Sequence, residues 1–380
     1  CFFCLSKSVL CGNHPSNFSL HELQFRLYLI IIIFNIIAQN KIRSINIFMK
    51  EFVPSYLKPT WKLYDRTEKQ GITNNCNLPF KVVSIDHDGN CMLCTCDGWL
   101  PISVCNIMDI DSFDKIWQTP RAIALQQDVS SKKFTYCSVD SCNIKNQDVL
   151  FENYYINLNY DESCNLACPT CRPQAINITS GTKYEHKLKM SKHISKLISK
   201  FDHACTINMS GNGDPFASLI YRKFLMTVEP NPKHKYRLLT NGLLLKKLLA
   251  KTKIYNNIDV IDISIDAGDQ QTYERVRKGG SWPILIENLD YLKSLDLDAL
   301  IRLNMVVQVE NFHSIKHFDK LLQKYNWNGR ISRLEDWSTF NKKQWQWRNI
   351  SDKSHPLHGN LEQQIKNISN KKIFIGAGVL

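Results

Sequence analysis

The sequence predicts an α/β fold, because strand-like and helix-like stretches alternate regularly from about residue 150 onward. Six short runs rich in β-branched and aromatic residues alternate with runs whose apolar residues recur every three or four positions. Such repeats imply a parallel sheet with right-handed crossovers. Eight repeats would close a barrel, so six predict an open one: a partial (β/α)6 TIM-like barrel, preceded by a small cysteine-rich α+β domain.

The predicted strands cover residues 154–160, 206–210, 236–240, 259–266, 301–308 and 330–334. Helical stretches between and after them include 187–201, 243–251, 284–295 and 314–325. The carboxyl ends of parallel strands meet at one edge of the sheet, and we expect the functional site there.

The cysteine-rich region begins with a predicted strand at 80–86 and a tight turn at Asp88-Gly-Asn90. Cysteines follow at once on the expected returning strand, then helical runs at 112–117 and 120–129, then two further cysteines. A region this small cannot build a stable core alone, so a bound metal would supply the missing stability.

Composition narrows the class of protein. Hydrophobic content of 43% and charged content of 22% over 380 residues are ordinary for a globular chain. The net charge of +13 is compatible with an anionic partner, but no basic run with interleaved aromatics occurs, so we expect no nucleic-acid partner. Nine of the 14 cysteines lie between Cys91 and Cys171. Clustering of this kind in a long chain indicates metal binding in the cytoplasm rather than a secreted disulfide scaffold.

The first 48 residues differ from the rest. They begin with Cys1 and contain an apolar run at 27–38, which is shorter than the roughly 20 residues of a membrane span. No small-residue cleavage site follows that run. We therefore treat residues 1–48 as a doubtful extension, expect Met49 to be the true start, and expect no membrane association.

Three cysteines follow the first predicted strand in the spacing C-x3-C-x2-C: Cys164, Cys168 and Cys171. A tetrahedral zinc site takes four ligands, usually as two separated pairs. Three thiolates on one loop suit a cubane iron–sulfur cluster better, since they hold three irons and leave the fourth open. A zinc site that borrows a fourth ligand is the alternative.

Two further groups of polar residues lie at predicted strand ends. Ser210-Gly-Asn-Gly-Asp-Pro215 follows the second strand; Gly211 and Gly213 permit close approach of a ligand, and Asp214 would hold an ammonium group. Ser264 and Asp266 share one face at the end of the fourth strand, as do Arg302, Asn304, Val306 and Gln308 on the fifth. Turns without a ligand and internal hydrogen-bond networks are the alternatives.

Because of this cysteine motif and these polar strand ends, residues 150–345 resemble the radical S-adenosylmethionine (radical SAM) superfamily. The resemblance implies that Cys164, Cys168 and Cys171 bind a 4Fe–4S cluster. It also implies that the following residues contact S-adenosylmethionine: Ser210, Gly211, Gly213, Asp214, Pro215, Ser264, Asp266, Asn304 and Val306. Two positions depart from the family pattern, since Thr170 replaces a common aromatic residue and Asp214 a common glutamate.

Residues 76–148 resemble the SPASM/Twitch type of auxiliary iron–sulfur domain, although that domain normally follows the barrel and here precedes it. The resemblance implies an auxiliary 4Fe–4S cluster with four candidate ligands, Cys94, Cys96, Cys137 and Cys142, and Cys91 in reserve. A 2Fe–2S cluster or zinc at this site is the alternative.

The family resemblance implies reductive cleavage of S-adenosylmethionine to a 5′-deoxyadenosyl radical that abstracts hydrogen, hence an oxidoreductase. A reductant such as flavodoxin or ferredoxin would serve it, and the substrate would be a peptide or protein. The alternatives are the same chemistry on a small molecule, or a non-catalytic iron–sulfur or zinc protein. The C-terminal tail, 346–380, carries no readable function.

Overall fold

The structure, a computed structural model, describes residues 49–63, 65–139, 142–209, 212–336 and 339–380. The predicted extension at 1–48, with its apolar run, lies outside these residues. The chain divides after Val53, and residues 49–53 begin with a helical turn. Pro54–Leu380 forms the main unit. No helix in the described ranges is long and apolar enough to cross a membrane.

The main unit is built on one ten-stranded sheet in the order β10-β9-β8-β7-β6-β5-β4-β1-β2-β3. Neighbouring strands from β4 to β10 are parallel, β1 is parallel to β4, and β2 and β3 form an antiparallel extension at one edge. The strands are β1 (Val82–Ile85), β2 (Asn90–Met92), β3 (Ser103–Asn106), β4 (Tyr154–Leu158), β5 (Cys205–Met209), β6 (His234–Thr240), β7 (Ile258–Ser264), β8 (Leu300–Val307), β9 (Asn328–Arg333) and β10 (Ile373–Ile375).

Helices connect the parallel strands, as the alternating pattern predicts. They are α1 (Lys58–Leu63), α2 (Leu78–Lys81), α3 (Pro120–Ser130), α4 (Gly181–Lys200), α5 (Leu219–Thr227), α6 (Leu245–Leu248), α7 (Gln270–Val276), α8 (Trp282–Ser294), α9 (Ile315–Tyr325), α10 (Lys342–Arg348) and α11 (His358–Lys366). Short 3-10 turns occur at Ser55–Leu57, Ile107–Asp109, Phe113–Gln118, Asn143–Lys145, Leu249–Lys251, Tyr255–Asn257 and Phe312–Ser314. The α/β partial barrel is thus confirmed, with β4 to β9 as its six predicted strands.

Local sequence fixes several of these helix starts. The side chains of Thr119, Ser218 and Asp269 each accept a hydrogen bond from a backbone N–H in the first turn of α3, α5 and α7. A side-chain oxygen at this position satisfies a donor that the helix itself leaves unpaired. Pro120 occupies the first position of α3, where its missing N–H costs nothing.

The two faces of the sheet differ in burial. One face is fully buried and packs on helices; Gly329 on this face, for example, lies against Leu322 and Phe318 of α9. Its other members include Ile207, Leu238, Ile263, Leu303 and Ile331, all 0% exposed. The alternate residues form the second face, which we call the inner face, and they include Asn208, Arg237, Ser264, Asn304 and Arg330, none of them fully buried.

The structure corrects details of the cysteine-rich region. The predicted strand at 80–86 is shorter, because Phe80 and Lys81 belong to α2, where Pro79 at a first-turn position favours a helix. Cys94 and Cys96 lie beyond β2 rather than on it. The helical run at 112–117 is a 3-10 helix. The tight turn is confirmed, with Gly89 at φ +84°.

Strand pairing extends the sheet beyond the six predicted strands, which the sequence did not indicate. β1 continues the barrel sheet by pairing with β4, and the tail supplies β10 beside β9. The sheet therefore runs across the predicted boundary between 76–148 and 150–345, and that division stays a prediction.

Candidate radical SAM site

The cysteine loop leaves the carboxyl end of β4, the edge where the fold predicts a site. Cys164 is held by backbone hydrogen bonds in both directions with Ile176, at 2.8 and 3.3 Å. A turn brings Cys171 N to 2.9 Å from the carbonyl oxygen of Cys168. Cys168 is buried, Cys164 is partly exposed and Cys171 is exposed. The three thiols thus lie on a short, ordered loop that opens to one side.

Two arginines that are not among the predicted site residues contact these thiols. Arg172 places Nε and Nη2 3.4 Å from Cys171 Sγ, and also donates to the backbone oxygens of Glu162 and Asn212. Arg277 places Nη1 3.6 Å from Cys168 Sγ. Thiolates bound to a cluster carry negative charge, so guanidinium donors at these positions suit a loop that holds iron.

The glycine-rich loop after β5 packs directly on the start of the cysteine loop. A Cβ atom on Gly213 would lie 2.6 Å from the carbonyl oxygen of Ser163 and 2.7 Å from that of Asp161. Only glycine allows this approach of two backbones. The next residue, Asp214, donates its N–H to Ser163 O at 2.9 Å. Close packing thus explains the glycine at position 213.

Asp214 is buried, and both of its carboxylate oxygens already have protein partners. Oδ2 accepts from Thr240 Oγ1 and Asn241 N at 2.8 Å each. Oδ1 accepts from Phe216 N and Ala217 N at 2.9 Å each. Asp214 therefore ties the end of β6 to the glycine-rich loop, and its predicted contact with an ammonium group stays a prediction.

Asp266 follows β7 in a left-handed conformation, with φ +54°, which Asp tolerates better than most residues. Its Oδ1 accepts from Val306 N at 2.7 Å, and its Oδ2 pairs with Arg277 Nη2 at 2.9 Å. Burial alone would lower the pKa of Arg277, but the Asp266 carboxylate and the Cys168 thiol raise it. Asp266 thus links the end of β7, β8 and the arginine that touches the cysteine loop.

The other predicted contacts lie around the same edge. Ser264 and Asn304 face each other on β7 and β8, and both point to the inner face with Val306. Pro215 is buried beside Asp214. Two further predicted contacts, Ser210 and Gly211, lie outside the residues that the structure describes.

The donor set fits a cluster rather than a single ion. Among the described residues, no three His, Cys, Asp or Glu side chains converge closely enough to hold one metal ion. A cubane does not require that convergence, because each thiolate binds a different iron. Cys164, Cys168 and Cys171 on one loop, with Arg172 and Arg277 beside them, are compatible with such a group.

A second group of cysteines surrounds one apolar cavity in the cysteine-rich region. Cys76, Cys94, Cys137 and Cys142 line it together with Leu78, Pro79, Leu93, Trp99, Leu100, Val129, Phe134, Ser138 and Ile144. Burial raises the pKa of all four thiols, to about 11 for Cys76. Charge on Cys94, Cys76 and Cys142 would raise the pKa of Cys137 further. Buried thiols in an apolar site become good ligands once a cation stabilises the thiolate form.

Three of the four predicted auxiliary ligands line the cavity, namely Cys94, Cys137 and Cys142. Cys96 is close to Cys94 in the chain but does not line the cavity. Cys76, which is not among the predicted ligands, does line it. The reserve ligand Cys91 lies on β2 opposite Cys105, away from the cavity lining. No spacing pattern in the sequence links Cys76 with Cys94.

Family models agree with this geometry. Residues 159–322 match the radical SAM superfamily, and residues 76–143 match the SPASM iron–sulfur cluster-binding domain. The chain therefore carries a radical SAM domain at 159–322, with a SPASM-type domain ahead of it at 76–143. Members of this superfamily are enzymes, and the two domains imply 4Fe–4S clusters and S-adenosylmethionine as cofactors.

Solved structures of the same class show weak similarity to the chain. Streptococcus suis SuiB bound to the precursor peptide SuiA is 16% identical, with 57% of this chain and 47% of that chain covered and a TM-score of 0.38. Native anSMEcpe with bound AdoMet is 19% identical, with 46% and 50% covered and a TM-score of 0.36. A radical SAM methyltransferase from Sphaerobacter thermophilus is 10% identical, with 57% and 64% covered and a TM-score of 0.37.

The aligned part of this chain spans about half the length of SuiB and anSMEcpe. No curated protein matches the chain significantly.

Proposed function

We propose that the chain is a radical SAM oxidoreductase that takes one electron from a flavodoxin or ferredoxin and abstracts hydrogen from its substrate. When bound, the cluster supplies the electron that breaks a carbon–sulfur bond of S-adenosylmethionine, which gives methionine and a 5′-deoxyadenosyl radical. The observation that carries the proposal is the meeting of the cysteine loop, the glycine-rich loop and the ends of β6 to β8 at one edge of the sheet.

The residues at this edge would have distinct roles in binding the cluster and S-adenosylmethionine. Cys164, Cys168 and Cys171 would hold the cluster, and Arg172 and Arg277 would offset the charge of its thiolates. The inner-face side chains of Ser264, Asn304 and Val306, with the glycine-rich loop at 210–215, would position S-adenosylmethionine. Asp214 and Asp266 would keep these loops in register through the hydrogen bonds described above.

A peptide or protein is the proposed substrate class. Its support is the SPASM-type domain matched at 76–143, for which the family resemblance implies a peptide or protein substrate. We propose that Cys76, Cys94, Cys137 and Cys142 hold the auxiliary cluster, because these four thiols line one cavity. That cluster would accept an electron or anchor the substrate.

Anaerobic reconstitution with iron and sulfide, followed by reduction in the presence of S-adenosylmethionine, tests the proposal. We expect about eight irons per chain and formation of 5′-deoxyadenosine. Cys168→Ala should abolish that product while the circular dichroism of the fold is retained. Zinc in place of iron, or a reduced iron-loaded protein that forms no 5′-deoxyadenosine, would instead support a non-catalytic metal protein.

A further inference from the structure

The inner face carries three arginines within the span of strands β6 to β9, which we call the arginine group: Arg237 on β6, Arg302 on β8 and Arg330 on β9. Among the described residues, the carboxylate that pairs with members of this group is Asp262 on β7. Side chains that alternate along adjacent paired strands share one face, and the register of β6 to β9 places all four on the inner face. This part of the face therefore holds more positive than negative charge.

Asp262 is 1% exposed, and its two oxygens are fully engaged. Arg237 Nε lies 2.7 Å from Oδ2, and Arg302 places Nε 2.6 Å from Oδ1 and Nη2 3.0 Å from Oδ2. Asn304 Nδ2 adds a fourth donor at 3.1 Å from Oδ1. One carboxylate thus fixes the orientation of two guanidinium groups and has no capacity for a third.

Arg330 has a neutral partner instead. Its Nε donates to Ser332 Oγ at 3.1 Å, and no carboxylate of the described residues pairs with it. Partial burial and the positive charges of Arg302 and Arg237 lower the pKa of Arg330, and only Asp262 acts in the opposite direction. Three guanidinium groups and one carboxylate leave two positive charges in excess on this patch.

The excess charge is not sealed in the core. The side chain of Arg237 is 32% exposed and that of Arg302 is 21% exposed. A guanidinium carries five N–H donors in a planar fork that matches carboxylate and phosphate oxygens. Because Asp262 uses only some of these donors, the arginine group is oriented in advance and still able to bind an oxyanion.

The position along the strands relates this patch to the radical SAM site. Arg302 lies two residues before Asn304 and four before Val306 on β8, which corresponds to roughly 7 and 13 Å along a strand. A molecule held at the arginine group would therefore extend along the inner face toward the carboxyl edge, where the cysteine loop lies.

We propose that the arginine group binds an oxyanion of the substrate, a carboxylate or a phosphate, and so anchors the substrate on the inner face with its reacting carbon toward the carboxyl edge. This inference rests on the proposed function, because it assumes that the substrate reacts at that edge. It narrows the substrate to molecules with an anionic group about two to four strand residues, or roughly 7 to 13 Å, from the reacting carbon.

Arg330→Gln tests the proposal with the least risk to folding, since it breaks no pair with a carboxylate. Arg333→Gln is the matched control: it is on the same strand, removes the same charge, and belongs to the opposite face, where Arg333 pairs with Glu335 at 2.7 Å. Calorimetric titration of the anaerobically reconstituted protein with pyrophosphate and with glutarate would measure binding of each probe.

We expect the wild-type protein to bind at least one probe at one site, with about tenfold weaker binding in Arg330→Gln and less than a twofold change in Arg333→Gln. Preference for pyrophosphate would indicate a phosphorylated substrate, and preference for glutarate a carboxylate. Equal affinity in both variants, or no binding of either probe to the wild type, would overturn the proposal. Formation of 5′-deoxyadenosine is measured separately, so failure here and failure of the proposed function are distinguishable.

Discussion

The assignment of Cys76 as an auxiliary cluster ligand can be tested without interference from the catalytic cluster. Replacing Cys164, Cys168 and Cys171 together by alanine would leave the auxiliary cavity as the iron site. In this background we compare Cys76→Ala with Cys96→Ala. The first removes a thiol that lines the cavity, and the second a thiol that does not.

The expected iron content follows from the four thiols around the cavity. A cubane has four irons, each held by one thiolate, so the background variant should contain about four irons per chain. Loss of Cys76 leaves Cys94, Cys137 and Cys142, and one iron without a protein ligand. That iron should be lost to a chelator, which lowers the content to about three or fewer. Cys96→Ala should retain about four.

The assay is an iron determination after anaerobic gel filtration with a mild chelator, together with electron paramagnetic resonance of the oxidised protein. A 3Fe–4S signal in the Cys76 variant alone would support the assignment. The reasoning fails if Cys96→Ala loses iron and Cys76→Ala does not. In that event the fourth ligand is Cys96, and the cavity lining is not a guide to ligation.

Three further predictions concern the radical SAM domain. Gly213→Ala should destabilise the protein by about 1–3 kcal/mol, because the new methyl group would lie 2.6 Å from a backbone oxygen. Gly359→Ala should not destabilise it, because the methyl group added there meets no neighbouring atom within 4 Å. Thermal unfolding of both variants measures the difference. Arg277→Gln should lower the midpoint potential of the catalytic cluster by tens of millivolts, because a positive charge near the thiolates stabilises the reduced state. Arg277→Lys keeps that charge and should change the potential less. A redox titration that shows no shift in the Gln variant would contradict this prediction. Burial alone would raise the pKa of Asp262, but the hydrogen bond from Arg302 and the charge of Arg237 outweigh it, so the pKa in the folded protein is lowered. The ionised carboxylate therefore stabilises the fold above about pH 4, and this stabilisation is lost as the pH falls through the lowered pKa of the folded state. Asp262→Asn should therefore cost about 2 kcal/mol at pH 7 and progressively less in acid, as measured by denaturant unfolding across that range.

The sequence predicted the six barrel strands well because their signal is local. Each strand is a short run of buried aliphatic residues bounded by turn residues, and each helix repeats apolar residues at helical spacing. The cysteine loop was equally readable, since Cys164, Cys168 and Cys171 lie within eight consecutive positions. Its place after β4 followed from the strand prediction alone.

Partners that are distant in sequence were not readable. Arg277 lies 109 residues from Cys168, and only the fold brings its guanidinium to the thiol. Cys76 lies with Cys94 and Cys137 around one cavity because the fold packs them there, and their spacing in the sequence does not indicate it. The sequence also predicted that Asp214 contacts a ligand. It did not indicate that four donors of the protein itself bind the Asp214 carboxylate.

The direction of β1 determines where the auxiliary cysteines lie relative to the catalytic loop. β1 runs parallel to β4, so the turn after β1 and the cysteine loop after β4 leave the same edge of the sheet. β2 then returns antiparallel, which carries Cys94 back toward the opposite edge, where Cys76 precedes β1. Since β1 has four residues, this separates the two cysteine groups by at least roughly 13 Å along the strand direction. The auxiliary cavity therefore cannot share a ligand with the catalytic loop, and it lies toward the end of the sheet where the strands begin. Arg237 and Arg302 are also nearer that end than Ser264 and Asn304, whereas Arg330 is level with Asn304. A substrate that reaches both the auxiliary cavity and the catalytic edge must extend along the strands, which favours an elongated molecule such as a peptide over a compact one.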